Sequence, residues 1–215
     1  LESIWNSYMK QTPILLALAI AATSNAVIAS EDYVDLGYAG HTSKFYNKTY
    51  HLKLSKELTD DVIGNLEYNT TYADWRDPGE HEEFTTHSFL FDIYKLFPLN
   101  DNAEAFIGAG YNSSFSKFNC ISGCVNSSYT NQKPEGTALE GTVGLRYVAE
   151  NGFAISGQYT AINDLNGTFW TSDSSYEFDL SYPVLDYVKV GLRQRNYKAT
   201  GGDLDFTAVY FRYSY

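Results

Sequence analysis

The residues that could do chemistry fall at alternate positions. Glu67, Glu140, Arg146, Glu177, Asp179, Arg193, Arg195 and Arg212 lie in segments where polar and apolar residues take turns, such as Y-E-F-D-L at 176–180 and F-R-Y at 211–213. A β-strand sends successive side chains to opposite faces, so these charges share the polar face of their strands. Carboxylates and guanidinium groups brought together on such a face suit two roles. They can form a gate or ion-selective constriction, or a polar filling that neutralises its own charge. A turn over Pro183–Asp186 centred on Leu185 would set Glu177 opposite Arg193.

Other reactive side chains form no comparable pattern. The histidines are His41, His51, His81 and His87. His87 precedes Ser88, but adjacent strand residues point to opposite faces, which is poor geometry for a base and its nucleophile. His81 stands among Glu80, Glu82 and Glu83, a set suited to weak binding of a divalent cation, without regular metal-ligand spacing. Asp74 and Asp77 extend that acidic stretch, which would bind cations or simply keep a loop hydrated. Cys120 and Cys124 are spaced C-x-x-x-C around Gly123, which matches neither a zinc knuckle nor a C-x-x-C redox motif. In an exported chain they are expected to form a disulfide, worth about 2 kcal/mol for so small a ring. No residue is assigned to catalysis, to a cofactor or to a metal.

The elements that must position these groups read as strands. Val34, Leu36 and Tyr38 alternate with Asp35, Gly37 and Ala39, and Leu66, Tyr68 and Tyr72 with Asn65, Glu67, Asn69 and Thr71. Leu139, Val143, Leu145 and Tyr147 oppose Glu140, Thr142, Gly144 and Arg146. In A-F-I-G-A-G-Y, Gly108 and Gly110 fall on the polar side, where they leave room or let the strand bend. Tight turns are expected at Leu58–Asp61, Pro98–Asn102, Glu150–Gly152 and Pro183–Asp186. Longer polar connections are expected at Arg76–Glu83, Ser116–Gly136 and Asn163–Ser174. The pattern yields about ten strands, with eight as the alternative if the first hairpin is discarded, and no convincing helix, repeat or second domain.

Composition narrows the class. Among 215 residues, 19 Tyr and 13 Phe raise the aromatic share to 16%, as aromatic girdles at two membrane interfaces would. A mean hydropathy of -0.31 argues against helical membrane spans but not against strands that show lipid every second residue. The net charge of -11 excludes nucleic acid as a partner. The apolar run Pro13–Ala22 follows Met9-Lys10 and precedes a small-residue exit. That order is a secretory signal peptide, predicted over Met9–Ala29 with cleavage after Ala29 or, as second choice, Ala26. Residues 1–8 then lie upstream of the start, and 30–215 form the mature domain.

The last segment, Leu204–Tyr215, sets Thr207, Val209, Phe211, Tyr213 and Tyr215 on one face and Arg212 and Ser214 on the other. With its aromatic end it resembles the closing strand of the small outer-membrane β-barrel proteins of Gram-negative bacteria, the group of the OmpA transmembrane domain and the opacity porins. The resemblance implies an all-β, closed, antiparallel, up-and-down transmembrane barrel, because lipid satisfies no backbone hydrogen bonds. It also implies a monomer among outer-membrane lipid and lipopolysaccharide, assembled by the barrel-assembly machinery through the C-terminal strand. The leading functional expectation is a non-enzymatic barrel, either a narrow porin-like channel or a structural and surface-interaction protein. The alternatives are an outer-membrane protease or lipid-modifying hydrolase, and a soluble periplasmic barrel that binds a small ligand.

Overall fold

The computed structural model describes residues 32–41, 48–77, 80–123, 135–165, 172–199 and 204–215. The predicted leader, Met9–Ala29, lies outside the described residues. Ten strands follow one another: β1 (Tyr33–His41), β2 (Lys48–Thr59), β3 (Val62–Asp77), β4 (Glu80–Asn100), β5 (Ala103–Ser122), β6 (Glu135–Val148), β7 (Ala154–Asp164), β8 (Ser172–Leu185), β9 (Val188–Ala199) and β10 (Leu204–Ser214). Each pairs antiparallel with the next, and β1 pairs with β10 from Tyr33↔Ser214 to His41↔Phe206, so the barrel closes without a free edge. The first hairpin is part of the wall, which settles ten strands over eight. Among the described residues there is no helix.

Four short turns gather at one end of the barrel, at Asp60–Asp61, Asp101–Asn102, Glu150–Gly152 and Asp186–Tyr187. Gly152 takes φ +80°, a left-handed conformation that a side chain would strain. Its N–H closes the turn onto the Ala149 carbonyl at 2.8 Å.

The outer wall is apolar. Leu36, Leu66, Ile93, Ile107, Val143, Leu145, Leu192 and Val209 are all exposed there, with rings such as Tyr38, Tyr50, Phe91, Tyr111, Tyr147, Tyr176, Phe211 and Tyr213. Many of these rings touch across strands, for example Tyr38–Tyr50 at 5.4 Å and Tyr159–Tyr176 at 5.1 Å between centroids. The lumen is polar and buried. A soluble barrel shows the reverse arrangement; an apolar outside around a polar inside is what lipid selects.

One expected loop is mostly strand, and another begins as strand. Arg76–Glu83 is the end of a β hairpin, with pairing running to Asp77↔Glu80, and β5 continues through the start of the expected Ser116–Gly136 loop to Ser122. Polarity was the misleading signal, because these stretches stand beyond the membrane, where a strand carries polar residues on its outer face as well. Crossing a bilayer takes about 9–11 residues per strand. β3, β4 and β5 have 16, 21 and 20, so they rise together past their neighbours as a three-stranded tongue. The inner face of the tongue carries one apolar rung: Ala73, Phe84 and Phe118 lie side by side and pack, with the two rings 5.5 Å apart.

Candidate functional site

The lumen is built by register. Antiparallel pairing places Arg212, Asp35, Lys53 and Glu67 side by side on β10, β1, β2 and β3, with signs alternating along the rung. Opposite charges in direct cross-strand positions stabilise a sheet. On β8 and β9 the rungs pair Glu177 with Arg195 and Asp179 with Arg193. The expected partner of Glu177 was Arg193. The turn occupies Asp186–Tyr187 rather than centring on Leu185, with a bulge between Pro183 and Leu185, and this moves the pairing by two residues.

Most of these charges are matched in detail. Arg212 clamps Asp35 through Nε at 2.7 Å and Nη2 at 2.8 Å. Its guanidinium lies 3.8 Å from the centre of the Tyr33 ring. Arg193 donates to Asp179 at 3.0 Å and to Asp35 at 3.3 Å, and comes within 3.4 Å of Glu177. Arg195 is paired to Glu177 and reaches Glu67 at 3.4 Å. Tyr210, with no exposed surface, donates to Asp179 at 2.6 Å and lies under the Arg193 guanidinium. Arg146 pairs with Glu104 at 2.8 Å nearer the short-turn end. Breaking one member of such a buried set leaves its partner uncompensated, the costly case for buried charge.

The strands can come this close because glycines face the large lumenal rings. Gly37 is paired with His51, Gly108 with Tyr94, Gly144 with Phe106 and Gly191 with Tyr210. A Cβ at any of the four would lie 1.9–2.3 Å from the ring opposite. The expected room at Gly108 is thus taken by the Tyr94 ring. Below the ion-paired layer is a cavity of about 90 Å³, lined by Lys53, Ser55, Asn65, Arg146, Ser181 and Arg212 among others. Ser55 Oγ, Asn65 Oδ1 and Ser181 Oγ are buried without a hydrogen-bond partner. Orphaned polar atoms around a cavity of this size are the setting for internal water.

The sequence list of lumenal charges omitted Asp35, Lys53, Asp92 and Glu104. Asp35 and Lys53 carried the right parity, and their register with Arg212 and Glu67 is what makes them members. Glu140, on β6, makes no ion pair with the arginines of β9 and β10, and Asn112 donates to it at 3.0 Å.

The histidines scatter. His41 ends β1, and His51 is buried over Gly37 in the lumen. His87 and Ser88 do point apart: Ser88 bonds Asn112 inside at 3.3 Å. On the outer wall His87 Nδ1 meets Thr70 Oγ1 at 2.6 Å and Tyr68 Oη at 2.7 Å and stacks on Phe115. It is held by hydroxyls rather than by a carboxylate. On the tongue His81 Nε2 lies 3.0 Å from Asp74 and 4.0 Å from Glu83, a set with metal-ligating atoms within 4.8 Å of one another. Glu82 alternates to the other face and takes no part. Cys120 is near the end of β5, opposite Glu82, and Cys124 lies outside the described residues.

No family model matches the chain, and no curated protein matches it in sequence. Solved structures match in fold. The NanC porin aligns with a TM-score of 0.51 at 9% identity, over 85% of this chain and all of that one. The translocator domain of the autotransporter NalP from Neisseria meningitidis aligns with a TM-score of 0.50 at 9% identity, over 100% of this chain and 98% of that one. At such identities only the backbone path is shared, and that path, together with the apolar wall around a charged interior, gives this chain the fold of the small outer-membrane β-barrels.

Proposed function

We propose that this protein is a non-catalytic barrel of the bacterial outer membrane whose lumen is a narrow channel held shut by ion pairs. The observation that carries this reading is the contact between Arg195 and Glu67. Their strands, β9 and β3, are four steps apart around a ring of ten, yet the side chains come within 3.4 Å. A lumen bridged side to side is not an open aqueous pore. A barrel of this strand number encloses far less space than the 16–18 strands of wide porins. In this orientation the short turns face the periplasm and the tongue stands outside among lipopolysaccharide. That NanC is a porin supports a channel; the tongue supports a second reading, a structural or surface-interaction role.

Planar-bilayer recording tests it. Wild-type protein should show small or intermittent conductance. Replacing Arg193 and Arg195 together with Gln leaves Glu177 and Asp179 uncompensated and should change ion preference or gating. A steady, large wild-type conductance would rule out the closed lumen. Silence from both proteins would favour the surface role, and rapid turnover of lipid or peptide by the pure barrel would overturn both.

A further inference from the structure

The lumenal carboxylates divide into two groups. Asp35, Glu67, Glu104, Glu177 and Asp179 each meet a guanidinium. Among the described residues Asp92 and Glu140 meet none, and they are neighbours. Register sets Ser55, Asn65, Asp92, Gly110 and Glu140 side by side on β2, β3, β4, β5 and β6. All face the lumen. Asp92 is only 4% exposed.

Gly110 is the residue that joins the two acids. An oxygen of Asp92 lies 1.9 Å from where a Cβ of Gly110 would be, so the carboxylate leans across the middle strand toward Glu140. Two strand spacings separate the backbones of Asp92 and Glu140 by about 10 Å. The lean of Asp92 uses one spacing, and the longer Glu140 side chain spans the other. Asp92 and Glu140 interact electrostatically as like charges. Their hydrogen-bond partners are neutral: Asn112 bonds Glu140 at 3.0 Å, and Tyr94 is in hydrogen-bonding range of Asp92. Lys53 acts on Asp92 and Arg195 on Glu140 only through their fields, without an ion pair to either acid. Like charges buried side by side repel unless something positive lies between them.

A second observation points to the same place. Asn65 and Ser55 continue the rung beyond Asp92, are 5% and 1% exposed, and hold their side-chain oxygens Oδ1 and Oγ toward the lumen with no hydrogen-bond partner. Ser55 is two strands from Asp92 and out of reach, so the site itself offers two carboxylates that meet no guanidinium and, next to Asp92, the Asn65 amide oxygen, with no nitrogen or sulfur ligand. Oxygen-only sets suit hard cations. Oxygen bonds of about 2.3–2.6 Å let one ion hold two carboxylates about 5 Å apart. Two negative charges are balanced by one divalent ion.

We infer that Asp92 and Glu140, bridging over Gly110 with Asn65 beside them, form a lumenal site for a divalent hard cation of the Ca²⁺ type. The site ties β4 to β6 at a rung where no guanidinium pairs with a carboxylate, and it does not depend on whether the lumen conducts. Lys53 is assigned elsewhere, to Asp35 and Glu67, which flank it in register.

The test is calorimetric titration of CaCl₂ into the detergent-refolded full chain, with thermal unfolding in chelator and in Ca²⁺. Wild type should bind one ion and gain stability when Ca²⁺ is added. His81→Gln, which disables the tongue cluster, should bind as wild type does. Asp92→Asn and Glu140→Gln should each bind about 10-fold or more weakly, since affinity follows ligand charge. In chelator Asp92→Asn should be at least as stable as wild type, because it relieves the repulsion; this separates a lost ligand from a failed fold. Gly110→Ala puts a methyl where the Asp92 oxygen lies and should also lose the ion. No Ca²⁺ binding by wild type at millimolar concentration would overturn the inference. So would binding that survives in both carboxylate variants or disappears in His81→Gln, which would put the ion on the tongue.

Discussion

Arg195 on β9 and Glu67 on β3 meet at 3.4 Å across the lumen, and Asn69 holds the same Glu67 oxygen from two residues along its own strand at 2.8 Å. A hydrogen bond to a charged group contributes about 2 kcal/mol when both partners are otherwise satisfied. Glu67→Gln removes the charge while keeping the shape, and Arg195 retains Glu177. The variant should fold with a loss of about 2 kcal/mol in a denaturant titration. In bilayers it should open more often than wild type. Unchanged gating would mean that this contact fills the lumen without controlling it.

The wall should tolerate polarity on one face only. Val143 is 50% exposed on the outside, while Thr142 is 3% exposed and bonds Thr160 across the lumenal face at 2.9 Å. Val143→Arg is expected to cost about 2–4 kcal/mol near the bilayer midplane. Thr142→Val loses one hydroxyl bond, about 1 kcal/mol. Folding titrations into lipid vesicles read both, and a larger loss from Thr142→Val would place the lipid on the wrong face.

The ring-over-glycine contacts predict a rescue. A Cβ on Gly144 would sit 2.2 Å from the Phe106 ring. Gly144→Ala should therefore destabilise by about 1–3 kcal/mol through overpacking. Adding Phe106→Leu should recover part of that loss, so the two changes should be non-additive in a double-mutant cycle. Simple additivity would show that the ring moves aside freely.

Cys120 lies on the outer part of β5, beyond the membrane-spanning length. A Cys120–Cys124 disulfide predicts a two-proton mass difference between reduced and unreduced exported protein. Reduction should leave the barrel assembled, since the ring it opens is small. Free thiols in freshly exported protein would refute the bond.

Alternation was legible because a barrel strand has one wet face and one greasy face, and a period of two survives any tertiary detail. Leu139, Val143, Leu145 and Tyr147 could be assigned outward, and Arg146, Glu177 and Arg193 inward, before any partner was known. β1 and the existence of four short turns were likewise readable from local residues, but the turns after β4 and β8 begin later than Pro98 and Pro183 because the strands run on to Asn100 and Leu185. Where the chain left the membrane the rule lost its force: Arg76–Glu83 is polar on both faces and read as a loop, yet most of it is paired strand.

The sequence by itself determined the succession of strands, the parity of the wall segments and eight of the charges inside; Asp35, Lys53, Asp92 and Glu104 joined them only in the structure. Only the tertiary structure decided who meets whom. A bulge between Pro183 and Leu185, with the turn at Asp186–Tyr187, sets Glu177 directly opposite Arg195 rather than Arg193, which still reaches it at 3.4 Å from the diagonal position. Closure of the ring brings Glu67 to Arg195 across 128 residues of chain. It also leaves Asp92 and Glu140 as neighbours with no ion pair to either among the described residues. Parity is a property of each strand alone, whereas register and closure depend on every strand at once, and the electrostatics of the lumen follow from those two.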